Sequence, residues 1–394
     1  MTGRRLRLTL ILGALSAFAP MSIDMYLPSL PALQHHFGAS TAAAQFTLSA
    51  FFLGLAVGQA LYGPLADRLG RRPPLLAGIA LYVVASLGCA LAPTIEALAA
   101  LRFLQAMGGC AGVVIARAVV RDLYEPQAAA RMLSLLMLVM GVAPILAPLA
   151  GGAILVWAGW RWIFVALALF GLLCLAGVSL GLAETRPAHT VRLSLAGSLR
   201  LFSTLAHDRR FLGPALTGAL SQAGMFAYIS GSPFVFIQVH GVPAQHYGWL
   251  FGFNALGIIG GSQLNRWLLR RHPAAHILRV ANGITAACGL ALLAAAWSAP
   301  ANFPLLLVPL FAYVASLGFS YANAAALAMA PFPSTAGSAS ALLGTVQFGA
   351  AALAGCAVGW LHDGTSLPMT ATIAACGVLA LMARLALMRG GGES

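Results

Sequence analysis

Hydrophobic residues in this chain come in long blocks rather than in alternation. Twelve apolar segments stand out, at approximately 8–31, 44–66, 74–92, 96–119, 132–157, 161–182, 212–238, 247–268, 274–297, 303–327, 336–361 and 367–389. Blocks of about 20 residues are long enough to cross a hydrocarbon layer of ~30 Å at 1.5 Å per residue. They lack the strict alternation of barrel strands, so each predicts a helix. The pattern therefore predicts an all-α polytopic membrane protein of twelve transmembrane helices. The most polar long stretch, residues 183–210, separates six blocks from six. It predicts an N-terminal six-helix half (1–182), a cytoplasmic linker (183–210) and a C-terminal six-helix half (211–394) related as a parallel repeat. A weak internal match agrees: "LADRLGRR" after the second block aligns with "QLNRWLLRR" after the eighth, setting Asp67 and Arg68 against Asn265 and Arg266.

Composition supports this class. Of 394 residues, 60% are apolar and 8% charged, against roughly 25% charged in a soluble domain. The net charge of +13 comes from arginine alone, since the chain has no lysine. Arg4, Arg5 and Arg7 precede the first block; Arg121 and Arg131 follow the fourth; Arg186, Arg192, Arg200, Arg209 and Arg210 follow the sixth; Arg266, Arg270 and Arg271 follow the eighth; Arg389 ends the last. The alternate loops hold almost none, Arg161 excepted. This is the positive-inside pattern, which sets both termini in the cytoplasm and accounts for the charge without nucleic acid. The first block imitates a signal peptide, but it is too long, carries a carboxylate and is followed by further spans, so it reads as a retained helix. The six cysteines fall inside predicted helices and read as packing residues. His35 and His36 read as a solvated loop pair rather than metal ligands. No phosphate-cradling loop is present, which argues against a primary pump. Neither an enzyme nor a cofactor or metal site is expected.

Two ionisable groups fall deep within blocks and away from their arginine-rich ends: Asp24 and Arg102. Charges there are costly and mark function by default. Asp24 lies about 24 Å up the first span and Arg102 about 9 Å down the fourth, so they reach similar depth in the outer half. They are expected to pair or to share a water-filled cavity. In "SIDMYLPSLP", Pro20, Pro28 and Pro31 surround Asp24 and break the backbone, which favours a pathway residue over a static pair. Burial favours the protonated carboxyl, and water or a guanidinium the ionised one, so a cavity of alternating exposure would let Asp24 carry a proton. Gly54 with Gly58, and Gly108 with Gly112, are spaced for close helix contact.

"GPLADRLGRRPP" resembles the signature loop of the major facilitator superfamily between its second and third spans, through Gly63, Asp67, Arg68, Gly70, Arg71 and Arg72. The resemblance implies a cytoplasmic gate, with the helix start in "FPSTAGSAS" (Phe332–Ser340) as a partner for Asp67. "LRFLQAMGG" resembles the superfamily's span-four motif, carrying Arg102 and Gln105 but Ala106 where glycine is usual. "GVAPILAPLAGG" resembles its antiporter motif, with Gly141, Pro144, Pro148, Gly151 and Gly152. That likeness implies export, on a kinked helix against which the halves pack. More narrowly, "PMSIDMYLPSLPAL", "ARAVVRDLY", "GWRWIF" and "YISGSPFVFI" resemble the bicyclomycin-resistance (Bcr/CflA) family of bacterial drug exporters over nearly the whole chain. In that family the span-one acidic residue, here Asp24, is linked to proton and drug binding.

An apolar, aromatic pocket with a few polar groups is expected around Asp24 and Arg102. Its candidate lining is Tyr26, Gln45, Gln105, Phe226, Tyr228, Phe234, Asn254, Asn323 and Gln347. The expected function is proton-coupled efflux of small drugs by alternating access, from a monomer in the bacterial inner membrane. The alternative is proton-coupled export of one small polar metabolite.

Overall fold

A computed structural model describes residues 3–186 and 195–388. Every described element is helical. The first apolar block is a broken helix: α1 (Gly3–Ser16), α2 (Phe18–Asp24), a single tight turn (Leu27–Ser29) and α3 (Leu30–Phe37). The axis bends by 42° between α1 and the part that follows. Pro28 and Pro31 each sit in the first turn of a new segment, where a missing N–H costs nothing. His35 and His36 therefore end a helix rather than occupy a loop.

The chain continues through α4 (Thr41–Leu69), α5 (Arg72–Ala90), α6 (Ile95–Leu123), α7 (Pro126–Ala158) and α8 (Trp160–Gly181). After the linker come α9 (Leu195–His207), α10 (Arg209–Pro233), α11 (Ala244–Leu268), α12 (Ala274–Ser298), α13 (Phe303–Met329), α14 (Ala336–Trp360) and α15 (Leu367–Leu387). The boundaries follow local chemistry. Ser40, Thr94, Asp208 and Asn302 each accept a backbone N–H at a helix start, satisfying a donor that has no intrahelical partner. Pro233 passes α10 into a π-helical turn, Phe234–Val239. Part of the linker, including Arg192, and the tail with Arg389 lie outside the described residues.

Each apolar block coincides with a helix or a broken helix. Nine described helices are individually long and apolar enough to cross a membrane, and the bent first pair makes a tenth. The other two expected spans, α10 and α11, form as helices but are less apolar. For α10 the reason is position. Helix α10 buries Thr217, Ser221, Ser230 and Ser232 with four glycines, and a span walled by protein needs less apolar surface than one facing lipid. One element was not foreseen: α9, inside the linker, packs on α10 and α14 through Leu205.

Two groups of helices form. In the first, α4 packs on α6, and α5 on α6 and α8; in the second, α10 packs on α13, α14 and α15, and α12 on α13 and α15. The groups meet where α4 runs along α14 and α7 along α11. The spaced glycines make the α4–α6 contact close: a β-carbon at Gly54 would overlap the Phe103 carbonyl, and one at Gly58 the Cys110 side chain. All six cysteines are free and buried or half-buried.

Candidate functional site

Helix α2 ends at Asp24, so the carboxylate stands at the break. It lines a cavity of about 160 Å³ with Met140, Gly141 and Pro144 of α7, Met225 and Tyr228 of α10, and Phe251 and Asn254 of α11. Asp24 is buried, and among the described residues it forms no ion pair. Asn254 Nδ2 donates to the Tyr228 hydroxyl at 3.1 Å. That leaves the Tyr228 O–H proton free to give to another acceptor. The Tyr228 ring lies flat against Phe251, 5.5 Å between centroids. The cavity is thus apolar and aromatic, with one acid, one amide and one phenol. Four of the sequence candidates meet Asp24 here: Gly141, Pro144, Tyr228 and Asn254. Met140, Met225 and Phe251 were missed, because nothing in an apolar block marks which face turns inward.

Arg102 does not join this cavity. It is fully buried in the first helix group and, among the described residues, pairs with no acid. Nη1 donates to Gln105 Oε1 at 2.6 Å and Nη2 to the Ser22 carbonyl at 3.0 Å. The guanidinium lies between the rings of Phe51 and Tyr26, 4.2 and 4.4 Å from their centroids. Cation–π contact of this kind gains strength when water is excluded. Further bonds fix the partners: Gln105 to Ser86 at 2.7 Å, Tyr26 to Thr47 at 2.6 Å, and Ser22 to Tyr82 at 2.7 Å. Arg102 therefore holds the backbone two residues before Asp24 rather than neutralising it. Tyr26 and Gln105 belong to this network and not to the cavity.

The remaining candidates lie elsewhere. Gln45 donates across the groups to the Ser230 carbonyl at 3.2 Å. Phe226 packs between Phe52 and Phe348. Phe234 is buried beside His362. Gln347 is buried on α14. Asn323 donates to Asn265 at 2.8 Å near the arginine-rich end, far along α13 from the Asp24 cavity.

Helix α7 runs unbroken through Pro144 and Pro148. Gly151 faces the chain break: a β-carbon there would overlap the Met25 carbonyl oxygen. A β-carbon on Gly152 would come within 2.9 Å of the Ala244 carbonyl. So the glycine–proline segment is wedged between the residue after Asp24 and the start of α11.

At the arginine-rich end the signature loop is tied to its own group. Arg71 bonds Asp67 at 2.6 Å and Asp122 at 2.8 Å. Gly70 turns the chain at φ +94°, a conformation that suits glycine. The Glu184 carboxylate accepts the Arg71 and Arg72 backbone N–H groups at 2.8 and 3.1 Å. Arg72 reaches the Ser179 carbonyl, and Arg186 the Arg68 carbonyl. Partial burial opposes ionisation of Glu184, but four backbone donors outweigh it and hold its carboxyl below the usual 4.5. Asp122 and Glu184 were not foreseen as members, although Asp122 lies within "ARAVVRDLY". Among the described residues, Asp67 bonds Arg71 and makes no hydrogen bond to the start of α14. A cavity of about 480 Å³ lies between them, lined by Asp67, Gly63, Tyr62, Gly337 and Ser338, with Phe202 of α9. Arg68 and Arg72 take no part in that lining.

At the opposite end the groups touch. Gln238 donates to Gln34 at 2.9 Å, joining the end of α3 to the π-helical turn. The structure is thus closed at the arginine-poor face and hollow at the arginine-rich one.

Comparison with known proteins agrees with this architecture. The sequence profile of the Major Facilitator Superfamily matches residues 12–355. The chain is 38% identical over 387 residues to an uncharacterized MFS-type transporter, YdgK, of Bacillus subtilis (strain 168), covering 97% of this chain and 96% of that one. It is 32% identical over 375 residues to a bicyclomycin resistance protein homolog of Haemophilus influenzae, covering 95% and 94%. Among solved structures, a D-xylose–proton symporter superposes with a TM-score of 0.75 at 17% identity, over 98% of each chain, which is a likeness of fold. Helix packing, profile match and near full-length relatives agree that this chain is a transporter rather than an enzyme, and that it belongs to the Major Facilitator Superfamily.

Proposed function

We propose that the protein is a proton-coupled exporter of small drugs, working as a monomer in the bacterial inner membrane with its arginine-rich face in the cytoplasm. The observation that carries this reading is Asp24: a buried acid without a countercharge among the described residues, in a small aromatic cavity between the two helix groups. A relative that is a bicyclomycin resistance protein homolog supports a drug as cargo.

The cycle uses the chain's own groups. A carboxyl enclosed by apolar side chains keeps its proton, and one met by water or a cation releases it. Drug entering from the arginine-rich cavity reaches the interface and displaces the proton from Asp24. Tyr228 and Asn254 then offer polar contacts while Phe251 and the methionines supply a surface that adapts to different shapes. The loaded protein opens at the arginine-poor face by parting contacts such as Gln34–Gln238, releases drug and regains a proton there. Arg102 keeps Ser22, and so the chain break, in place throughout. One charge crossing 100 mV is worth about 2.3 kcal/mol, so one proton across ~150 mV sustains a gradient of a few hundred-fold for a neutral drug.

The test is growth of a bacterium lacking its own pumps on a broad antibiotic panel, with wild type and Asp24→Asn at equal membrane levels. Protection by the wild type alone supports the reading and names the cargo. Failure of the wild type to protect against any compound overturns drug export and turns attention to a polar metabolite. Equal protection by both forms overturns the role of Asp24.

A further inference from the structure

Helices α11, α12 and α13 enclose a groove of about 450 Å³ on the outside of the bundle, at its arginine-rich end. Leu264, Val280, Ile284, Ala312 and Phe319 line it. Leu264, Val280 and Ile284 are about half exposed, so the groove faces outward, toward lipid. Its one hydroxyl, Ser316, is already engaged by Thr285 at 2.8 Å and the Tyr313 carbonyl at 2.6 Å. What remains for an occupant is hydrocarbon surface.

The depth fits one leaflet. From His276 at the mouth to Ile284 the helix rises about 12 Å, close to half of a ~30 Å core. The mouth is basic. His272 and His276 stack there with ring centroids 5.7 Å apart. Arg270, Arg271 and Arg279 are exposed beside them, and Arg271 lies 4.6 Å over Trp267. Among the described residues none of these cations forms an ion pair. The sequence offers little to pair them with: it has no acid between Asp208 and Asp363, and Asp208 is bound to Arg210. A basic rim over an apolar slot one leaflet deep is complementary to a phosphate group carrying an acyl chain.

We propose that this groove binds one anionic phospholipid from the leaflet at the arginine-rich face, with an acyl chain between α11, α12 and α13 and the phosphate at Arg270, Arg271, His272 and His276. The site is separate from the Asp24 cavity and does not depend on what the protein transports.

The test is native mass spectrometry of the full-length protein in detergent, titrated with dioleoyl-phosphatidylglycerol, dioleoyl-phosphatidylcholine or inorganic phosphate. The wild type retains one phosphatidylglycerol per monomer, bound about tenfold more tightly than phosphatidylcholine. Replacing Arg270, Arg271, His272 and His276 together with Gln brings the two lipids level. Filling the slot with Ala312→Phe, or from its exposed rim with Val280→Trp, removes the retained lipid; having two fillers separates lost binding from a misfolded variant. Four results overturn the proposal: no preference between the lipids in the wild type, retention undiminished by either filler, full displacement by millimolar inorganic phosphate, or a dimeric mass that the fillers abolish.

Discussion

Asp24 and Arg102 reach the same depth of the bundle by different routes and do different work. Asp24 is the sole charge between Arg7 and Asp67 in the sequence, so its importance was legible there. Its separation from Arg102 was not. That depends on how α2 and α6 are rotated, and periodicity within an apolar block carries little information about rotation. Arg102 illustrates a further point: a buried cation can be held by rings and carbonyls without a carboxylate. Shape should then matter as much as charge. Lysine keeps the charge but has neither the flat face nor the forked donors. Arg102→Lys is expected to destabilise the protein by about 1–3 kcal/mol, read as a lower Tm in detergent, and to reduce transport. Unchanged Tm and transport would mean that charge alone suffices.

The elements were easier to read than their contacts. All twelve blocks became helices, while the break after Asp24 follows from Pro28 and Pro31, which each start a new segment. The helix in the linker was missed because its apolar residues form a narrow stripe among polar ones. The glycines of the two motifs make a paired prediction. Gly151→Ala overlaps the Met25 carbonyl and is expected to cost about 1–3 kcal/mol, as overpacking does. Gly63→Ala meets nothing within 4 Å, and alanine is favoured in a helix by up to about 1 kcal/mol, so Tm should hold or rise. Thermal unfolding of both variants checks this. The loop clasp makes a pH prediction. Because the folded Glu184 carboxyl titrates below 4.5, the clasp is fully present above that pH and is lost as pH falls through its lower folded value. Hydrogen exchange at the Arg71 and Arg72 amides should accelerate several-fold in Glu184→Gln, and the wild type should approach the variant only in acid. Equal protection in both at neutral pH would mean that Glu184 does not cap α5.

Over the whole molecule, the same two helix groups are in contact at the arginine-poor face and enclose a cavity at the arginine-rich one. That asymmetry follows from α4 lying along α14 and α7 along α11 while Asp67 stands across a cavity from the start of α14. The conformation was not legible in the sequence, since the residues of each end do not say which contacts between the groups are made at one time. Alternating access requires the closed end to open. In a double variant, Gln34→Cys with Gln238→Cys, a short thiol-specific crosslinker should therefore stop transport, and cleaving the link should restore it. Continued transport by the linked protein would mean that this contact is not a gate. The central claim, however, is that Asp24 exchanges a proton for cargo. The most direct measurement is proton release when drug is added to weakly buffered, purified protein in detergent, followed by a pH-sensitive dye. Saturable release of protons is expected from the wild type, none from Asp24→Asn at equal folding, and release that falls when the starting pH is high enough to ionise the site. Release of the same size from Asp24→Asn would contradict that claim.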